Sequence, residues 1–579
     1  MLDIIPKVVG ADIELGGFID CQRDTPCYDG EGARAARLLL AQFDGLPNRA
    51  SLGMHPRIAY SPSEKYSLTA RYSRNAETAH VFSPPYGRYA QYGESYANGI
   101  LRPANGFDPQ DWGRKYAPHH GGCTYIDLNH LEIVTPEVRS ARDFVAYHHA
   151  NLRLASQACA RANALLTNER IVVTANNTDG HGSSWGGHLS VLISKALWGK
   201  MFTWIYPELT ALAAFQASSI VYTGAGKVGS DNGRAPAPFQ LTQRGDFVEC
   251  LVGTQTTYQR PLVNSRDEPL CGTSTTTDGH ARLHCIFFDT CLMPTSTYLK
   301  VGCMQIVLAM LEAGHGLSAL SLRDPLTALA VWGRDLTLRA TAPLGDGREV
   351  TAIDLQRLFL EEARGSFRRG EFDEVVPEAE IILEMWQATL DFLERRDWAK
   401  LSRKIDWAAK YCILSNLVER GLAWEAPELK HADVLWSSLD HAEGLYFALE
   451  RDGLVDQVVP PQDIERAMRE PPEDTRAYLR AQVLRAMTPE HVVEIDWDRI
   501  RLRPNPRGPV WCVDLADPLG ATRRECAPNP LPEQLDALLA ALGPYAYKET
   551  APAYPASAGA DDKRPYPLPK PWGNPRTPS

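Results

Sequence analysis

The chain has 579 residues, 44% of them hydrophobic, and a formal net charge of −11 at neutral pH. That length buries one oversized core with an appendage or several ordinary ones, so at least two units are expected. The charge is spread along the chain with no long basic block, which argues against a nucleic acid backbone as the main partner.

The opening "MLDIIPKVVGADIELGG" has an acid at its third position and no charged region leading into a cleavable apolar run, so it does not read as a secretory signal and a cytoplasmic protein is expected. "KVVGADIELGGFI" alternates like a strand. "DGEGARAARLLLAQF" then spaces Ala, Leu and Phe like a helix behind a Gly/Asp-rich entry. From about Gly45 to Gly122 the chain is rich in Pro, Gly, Tyr and Ser, as in "SPPYGRYAQYGESYANG". Such aperiodic length reads as an inserted loop that gates a site.

"CTYIDLNHLEIVTPE" (123–137) reads as a buried strand that nevertheless carries Tyr125, Asp127, His130 and Glu132. Residues 137–170 are expected to be helical and "RIVVTANNTDG" to begin as a strand, with further strands at "SIVYTGAG", "DFVECLVG" and "RLHCIFFD". Helices dominate from about 296 to 450; "EAEIILEMWQATLDFLERRDW" is the clearest amphipathic one. The apolar run Val301 to Leu311 is too short for a bilayer and is expected to be a core helix. From Thr550 the prolines are too dense for helix or sheet, so a disordered tail is expected. Strands early and helices late make the fold class α+β. The twelve cysteines include no CxxC pair. Cys21 and Cys27 flank a short loop, but a reducing compartment disfavours their pairing.

Asp12 and Glu14 are two residues apart, so on a strand they share one face while Ala11, Ile13 and Leu15 take the other. Tyr125 and Asp127 share a face by the same arithmetic. If the two strands are neighbours, these oxygens converge, with Glu132 reaching in from the strand's end. Carboxylates at that density repel, and a hard divalent cation such as Mg²⁺, shared with nucleotide phosphates, relieves them. The same alternation is also that of any solvent-facing sheet surface. "TGAGKVGS" lacks phosphate-loop spacing and reads as a Gly-rich turn.

A series of segments decides between those readings: "GADIELG", "YIDLNHLEIVTPE", "NNTDGHGSSWGGH", "TGAGKVG", "FQLTQRGDF", "RPLVNSRDEP", "ARLHCIFFD", "STYLKVG", "KIDWAAKYCIL", "HAEGLYFALERDGLV" and "PPEDTRAYLRAQVLRA". In order and interval they resemble the Pup ligase and Pup deamidase/depupylase family, within the glutamine synthetase-like carboxylate-amine ligases, over residues 8 to about 500. The resemblance implies a glutamine synthetase-like antiparallel sheet cradle flanked by helices. It implies a catalytic domain over 1–430 containing the 45–122 insertion, a small C-terminal domain over 431–545 and a Pro-rich tail over 546–579.

By the same resemblance Asp127 is the essential aspartate, and Asp12, Tyr125 and Glu132 are magnesium positions, with Glu14 beside them. Thr135 and Trp407 are nucleotide contacts, and His188 and His284 lie near a second metal and the phosphates. Arg266 and Arg282 are the clamps for phosphate or carboxylate, because a guanidinium fork pairs with such oxygens at two points. The implied cofactors are ATP, or ADP plus phosphate, and Mg²⁺. The implied partners are a small Pup-like protein modifier and its protein conjugates, with no nucleic acid and no membrane.

Three features resemble the hydrolase branch: five residues from Asp127 to Glu132, the long stretch before Tyr125, and "PPEDTRAY". The implied activity is hydrolysis of a side-chain amide or isopeptide bond, with ligation of a glutamate carboxylate to a lysine amine as the alternative. The chain departs from the family pattern at Asp12, usually Glu, at Cys123, usually Arg, and at Phe247, usually His. Those departures keep a third reading open, a catalytically weak nucleotide-binding regulator.

Overall fold

The computed structural model describes residues 4–21, 31–48, 112–203, 207–268, 270–271, 279–526, 528 and 530–549. The greater part of the expected gating insertion, residues 49–111, the loop holding Cys27 and the tail from residue 550 lie outside the described residues.

An eight-stranded sheet organises the first half of the chain. Its strands are β1 (Val9–Cys21), β2 (Leu46–Pro47), β3 (Trp112–Tyr116), β4 (Cys123–Asp127), β5 (His130–Val134), β6 (Glu169–Thr174), β7 (Gly187–Ser194) and β8 (His280–Cys285). The order is β8-β7-β1-β5-β4-β3-β2, and β6 pairs with the far end of β1. Each of these pairings is antiparallel.

The alternation of β1 works as its sequence implies: Ala11, Ile13 and Leu15 are buried in the first core together with Ile126, Leu131 and Ile133. Helices α1 (Glu31–Leu40) and α2 (Ala141–Asn163) contribute to that core. Ser140 starts α2 by accepting a hydrogen bond from the Asp143 amide, the cap that stops a strand-following loop and opens a helix. The run around Val301 lies in the helix Pro294–Glu312, every residue of which is buried. The amphipathic segment forms Ala379–Arg395, burying Ile382, Leu383, Trp386, Leu390 and Leu393 at helical spacing. Among the described residues no helix is long and apolar enough to cross a membrane.

Three sequence expectations need correction. "SIVYTGAG" is no strand: Ser219 to Thr223 end the helix Pro207–Thr223, which is buried on nearly every side. An all-round apolar helix has no 3.6-residue period, and its β-branched residues mimic a strand. Second, residues 123–137 form a hairpin instead of one strand. Asp127 pairs with His130 across the two-residue turn Leu128–Asn129. Leu128 has φ +54, the sign a type II′ turn requires at its first position, although leucine is a poor marker of such turns. Third, β1 is not adjacent to β4, because β5 runs between them.

A second core begins at Tyr478 and runs to Ala546, built on the four-stranded sheet β9 (Val492–Ile495), β10 (Arg499–Leu502), β11 (Trp511–Asp514) and β12 (Ala546–Lys548). It also takes in Leu46, Tyr116, Cys123 and Val134 from the large sheet. Residues from Trp436 to Ala467 pack into the first core instead. The expected domain boundary at 430/431 therefore does not coincide with the change of core.

Candidate active site

On the face of the sheet opposite the first core, register sets the chemistry. Glu14 pairs with Glu132 and Glu132 with Tyr125, which makes one row across β1, β5 and β4. Cys123 and Val134, one row away, are covered by the second core. The C-terminal unit thus walls one side of the acidic surface. On the opposite flank Asp12 pairs with His188, and His284 pairs with Ser190.

Two groups of side chains result. Glu14, Asp127 and Glu132 bring one carboxylate oxygen each within 4.8 Å of one another, and Asp12, His188 and His284 bring their ligand atoms within the same 4.8 Å. Asp12 therefore groups with the histidines, and Glu14 takes the place beside Glu132 that was expected for Asp12. The Tyr125 hydroxyl donates to Glu132 Oε1 at 2.5 Å. Burial, then the Glu132 charge, pushes the phenol well above its ordinary value, so it stays protonated as a donor.

Electrostatics on this face are strained in the way a cation relieves. Glu132 is 3% exposed. Burial first, then the charges of Asp12, Asp127 and Glu14, raises its carboxyl well above the usual range. Burial also raises Asp12, against Arg282 and Arg114. Burial acts in the same direction on Glu14, but the His130 and His188 imidazoles beside it and the Gly186 amide hold it at about 2. The Gly186 amide donates to Glu14 at 3.0 Å. His188 is lowered to about 4, chiefly by burial, and His284 well below its ordinary value by burial and Arg282. Both imidazoles are therefore neutral at pH 7, the form that ligates metals.

His284 is 4% exposed and, among the described residues, neither ring nitrogen has a hydrogen-bond partner; Asp12 Oδ2 stands 3.7 Å from Nε2. Buried, unpartnered imidazole nitrogens beside a carboxylate, next to three clustered carboxylates, are a donor set that fits divalent cations.

The remaining predicted residues divide. Arg282 lies two residues from His284, with Nε donating to the Glu268 carbonyl at 2.8 Å and Nη1 to Ser190 Oγ at 3.2 Å. Arg266 pairs with Glu268 at 2.7 Å, and its charge reaches Asp12, His188 and His284. Thr135 is buried, its hydroxyl accepting from the Ala11 amide at 2.8 Å and so tying β1 to the end of β5. Trp407 is 0% exposed, with its indole N–H donating to the Val221 carbonyl at 2.9 Å. It packs in the first core.

Sequence reasoning gave no role to three residues near this face. His130 Nδ1 stands 3.7 Å from Glu14 Oε2, and its ring packs 4.7 Å from Trp185; a hairpin reading of "IDLNHLE" would have turned it toward Asp127. Arg244 is buried, donates to the Trp185 carbonyl, and is pushed down to about 10 by burial and Arg260. Arg114 reaches across to Cys123, one of the departures, with Nη1 3.2 Å from its sulfur. At another departure, Phe247 lies under Lys227 Nζ, 5.3 Å from the ring centroid, and Arg260 Cζ, 5.7 Å away.

Known proteins share both sequence and fold with this chain. The profile of the Pup-ligase protein family matches residues 66–501. The chain is 35% identical to the Pup deamidase/depupylase of Mycolicibacterium smegmatis over 66% of its own length and 74% of that protein. It is 35% identical to the depupylase of Acidothermus cellulolyticus, over 70% and 78%. It is 31% identical to Pup–protein ligase 2 of Rhodococcus erythropolis, over 70% and 89%.

Among solved structures, the Pup ligase PafA in complex with Pup superposes with a TM-score of 0.67 at 21% identity, covering 90% of this chain and 92% of that one. PafA with ADP gives 0.61 at 24%, covering 78% and 94%. The fold is the expected α+β, glutamine synthetase-like antiparallel sheet flanked by helices. Fold and sequence similarity agree, and the chain belongs to the Pup-ligase protein family.

Proposed function

We propose that the chain is an ATP- and Mg²⁺-dependent amidohydrolase that cleaves a side-chain amide or isopeptide bond of a Pup-like modifier. The observation that carries this is the convergence of Asp127 with Glu14 and Glu132 beside a second ligand set of Asp12, His188 and His284. A divalent cation held by these two sets would supply Lewis-acid polarisation of the scissile carbonyl.

The chain's own residues account for the rest. Glu14 and Glu132 flank Asp127 and fix one edge of the site, while the Tyr125 hydroxyl holds Glu132 in place. Asp127 stands at the tip of the hairpin, half-buried, where a peptide side chain approaches. Its carboxylate acts on the amide carbon as nucleophile, or takes a proton from the attacking water as base. Either route replaces the C–N bond with C–O and releases ammonia or a lysine amine. Arg266 and Arg282 hold the anionic groups at the flank through their guanidinium forks.

Ligation is the second reading, because relatives named as Pup–protein ligases match at 31% identity. In it Asp127 takes a proton from the incoming lysine. One assay separates the two: a modifier peptide ending in Gln, and separately one ending in Glu with a lysine acceptor, each with ATP and Mg²⁺. Gain of one mass unit with ammonia release supports hydrolysis, whereas a new isopeptide with stoichiometric ADP refutes it in favour of ligation. Asp127→Asn is expected to keep nucleotide binding and abolish turnover.

A further inference from the structure

The stretches "NNTDG", "SSWGGH", "TQRGD" and "IFFDT" meet at one buried side chain, Asn177. It is 0% exposed, and both ends of its amide are used. Nδ2 donates to the Trp185 carbonyl at 3.1 Å and to Thr290 Oγ1 at 3.1 Å, and Oδ1 accepts from the Thr290 amide at 2.7 Å. The Asn177 N–H donates to Gln243 Oε1 at 2.6 Å, and its carbonyl accepts from the Trp185 amide at 3.3 Å. These backbone partners fix which end of the side-chain amide is oxygen, since a carbonyl only accepts and an N–H only donates.

The partners are themselves held. The Asp289 carboxylate accepts from the amides of Ala225, Gln243 and Arg244 at 2.8, 2.9 and 3.0 Å, and Gln243 Nε2 donates to the Gly226 carbonyl at 3.0 Å. The Gly-rich turn of "TGAGKVG", the "TQRGD" segment and Thr290 thus form one frame. Asn177 ties that frame to residues 185–188, which lead into β7.

Residues 185–188 serve both ligand groups. The Gly186 amide donates to Glu14 Oε2 at 3.0 Å, and the Gly186 carbonyl accepts from the Glu14 amide at 3.0 Å. Two residues on, His188 belongs to the other group. A Cβ on Gly186 would stand 2.0 Å from His188 Nε2, and one on Gly187 would stand 2.4 Å from Thr290 Oγ1. The two glycines therefore let the imidazole and the threonine close on the backbone. The Trp185 ring also packs 4.7 Å from His130, whose Nδ1 faces Glu14 Oε2 at 3.7 Å. A shift of the Trp185–Gly186 peptide moves Glu14 and His188 together.

We propose that Asn177 is a positioning residue of this site, setting through the Trp185–Gly186 peptide the distance between the Glu14 group and the His188 group. The inference rests on the reading above that both groups take divalent cations. Asn177 touches no ligand atom and acts from behind the loop. Partners that orient metal ligands in this way are worth roughly ten- to a hundredfold in metal affinity, and here one amide serves two groups. Substitutes of similar size fail for stated reasons: ionised aspartate only accepts, and leucine neither donates nor accepts.

The test compares full-length wild type, Asn177→Leu, Asn177→Ser, Thr290→Val and Gln356→Leu, placed on one stability scale by urea titration. Gln356 is a buried amide whose partners Tyr222, Phe215 and Ser218 all lie in the helix Pro207–Thr223, so its replacement reports plain destabilisation. The probe is Mn²⁺ alone, which takes oxygen and imidazole ligands and is counted by electron paramagnetic resonance. Wild type is expected to bind two ions, and both Asn177 variants to weaken the two together by roughly tenfold or more. Thr290→Val, which deletes one of the three side-chain bonds, weakens both by less. Gln356→Leu leaves both unchanged whatever its stability. The serine and valine variants carry the comparison where Asn177→Leu does not fold. Weakening of one ion alone, an equal loss in Gln356→Leu, or full affinity in Asn177→Ser overturns the proposal. Absence of Mn²⁺ binding by wild type refutes the metal reading instead, and hydrogen exchange of 184–188 then decides the role of Asn177. Faster exchange in Asn177→Ser than in Gln356→Leu leaves the loop-positioning role standing, and equal exchange refutes it.

Discussion

Replacing Glu137 with Gln is expected to loosen the C-terminal unit from the eight-stranded sheet. Glu137 follows β5 by three residues and anchors the helix Ala477–Ala486. Arg476 Nε donates to it at 2.7 Å, and Arg480 grips it through Nη1 at 3.1 Å and through Nη2. Arg480 is fully buried and also donates to the Gly121 carbonyl at 2.7 Å, while its guanidinium lies 4.7 Å from the Trp497 ring centroid. Burial pushes the Glu137 carboxyl up, but the two arginines bring it down from 4.5 to about 2. That gap, at about 1.36 kcal/mol per pH unit, is worth about 3 kcal/mol. The figure agrees with the roughly 3–5 kcal/mol lost when one partner of a buried ion pair is removed.

Because the folded-state value is depressed, this stability is present in full above pH 4.5 and is lost as pH falls toward about 2. Wild type and Glu137→Gln should therefore differ most at neutral pH and converge in acid. Hydrogen exchange read by mass spectrometry at pH 7 should speed up in β9 to β11 and in 477–486 by roughly a hundredfold, as about 3 kcal/mol requires. Unchanged exchange in those segments, or a stability difference that persists undiminished at pH 2.5, would refute the reasoning.

Two further outcomes follow from the acidic face. Glu132→Ala should leave the fold intact and weaken Mg²⁺-dependent nucleotide binding by at least about tenfold, checked by calorimetry, since one clustered carboxylate is removed from a buried set. His188, held neutral down to about 4, should make the wild type lose stability as pH falls from its ordinary 6.5 toward 4, because only the unfolded chain binds that proton there. His188→Gln should flatten that part of the stability curve by up to about 3 kcal/mol in urea titrations.

The face-sharing of Asp12 and Glu14 and the apolar reverse of β1 were legible from alternation alone, because a strand with one buried face fixes its register. The grouping of the ligands was not. It depends on β5 lying between β1 and β4, and that depends on a turn whose first residue is a leucine at φ +54. No Asn-Gly or Asp-Gly pair marked the hairpin. The helix ending at Thr223 was misread because total burial erases periodicity. Trp407, placed by resemblance on the nucleotide, lies buried in the core. Arg114 escaped notice because its facing follows from a register shift between Trp112 and Lys115, which leaves no trace in local composition beyond one glycine.

The second core also bears on how the chain must be made. Its members come from residues 46–134 and from 478–546, with most of the first core's helices between them in sequence. Contacts of such long separation close late and slowly, after the intervening chain has collapsed. During synthesis β3, β4 and β5 emerge long before the helix and sheet that cover Cys123 and Val134, so that end of the acidic face stays bare until residues 478–546 have been made. Shortened versions ending before Tyr478 should thus aggregate through this uncovered patch. The C-terminal unit thus sets when the acidic face is enclosed.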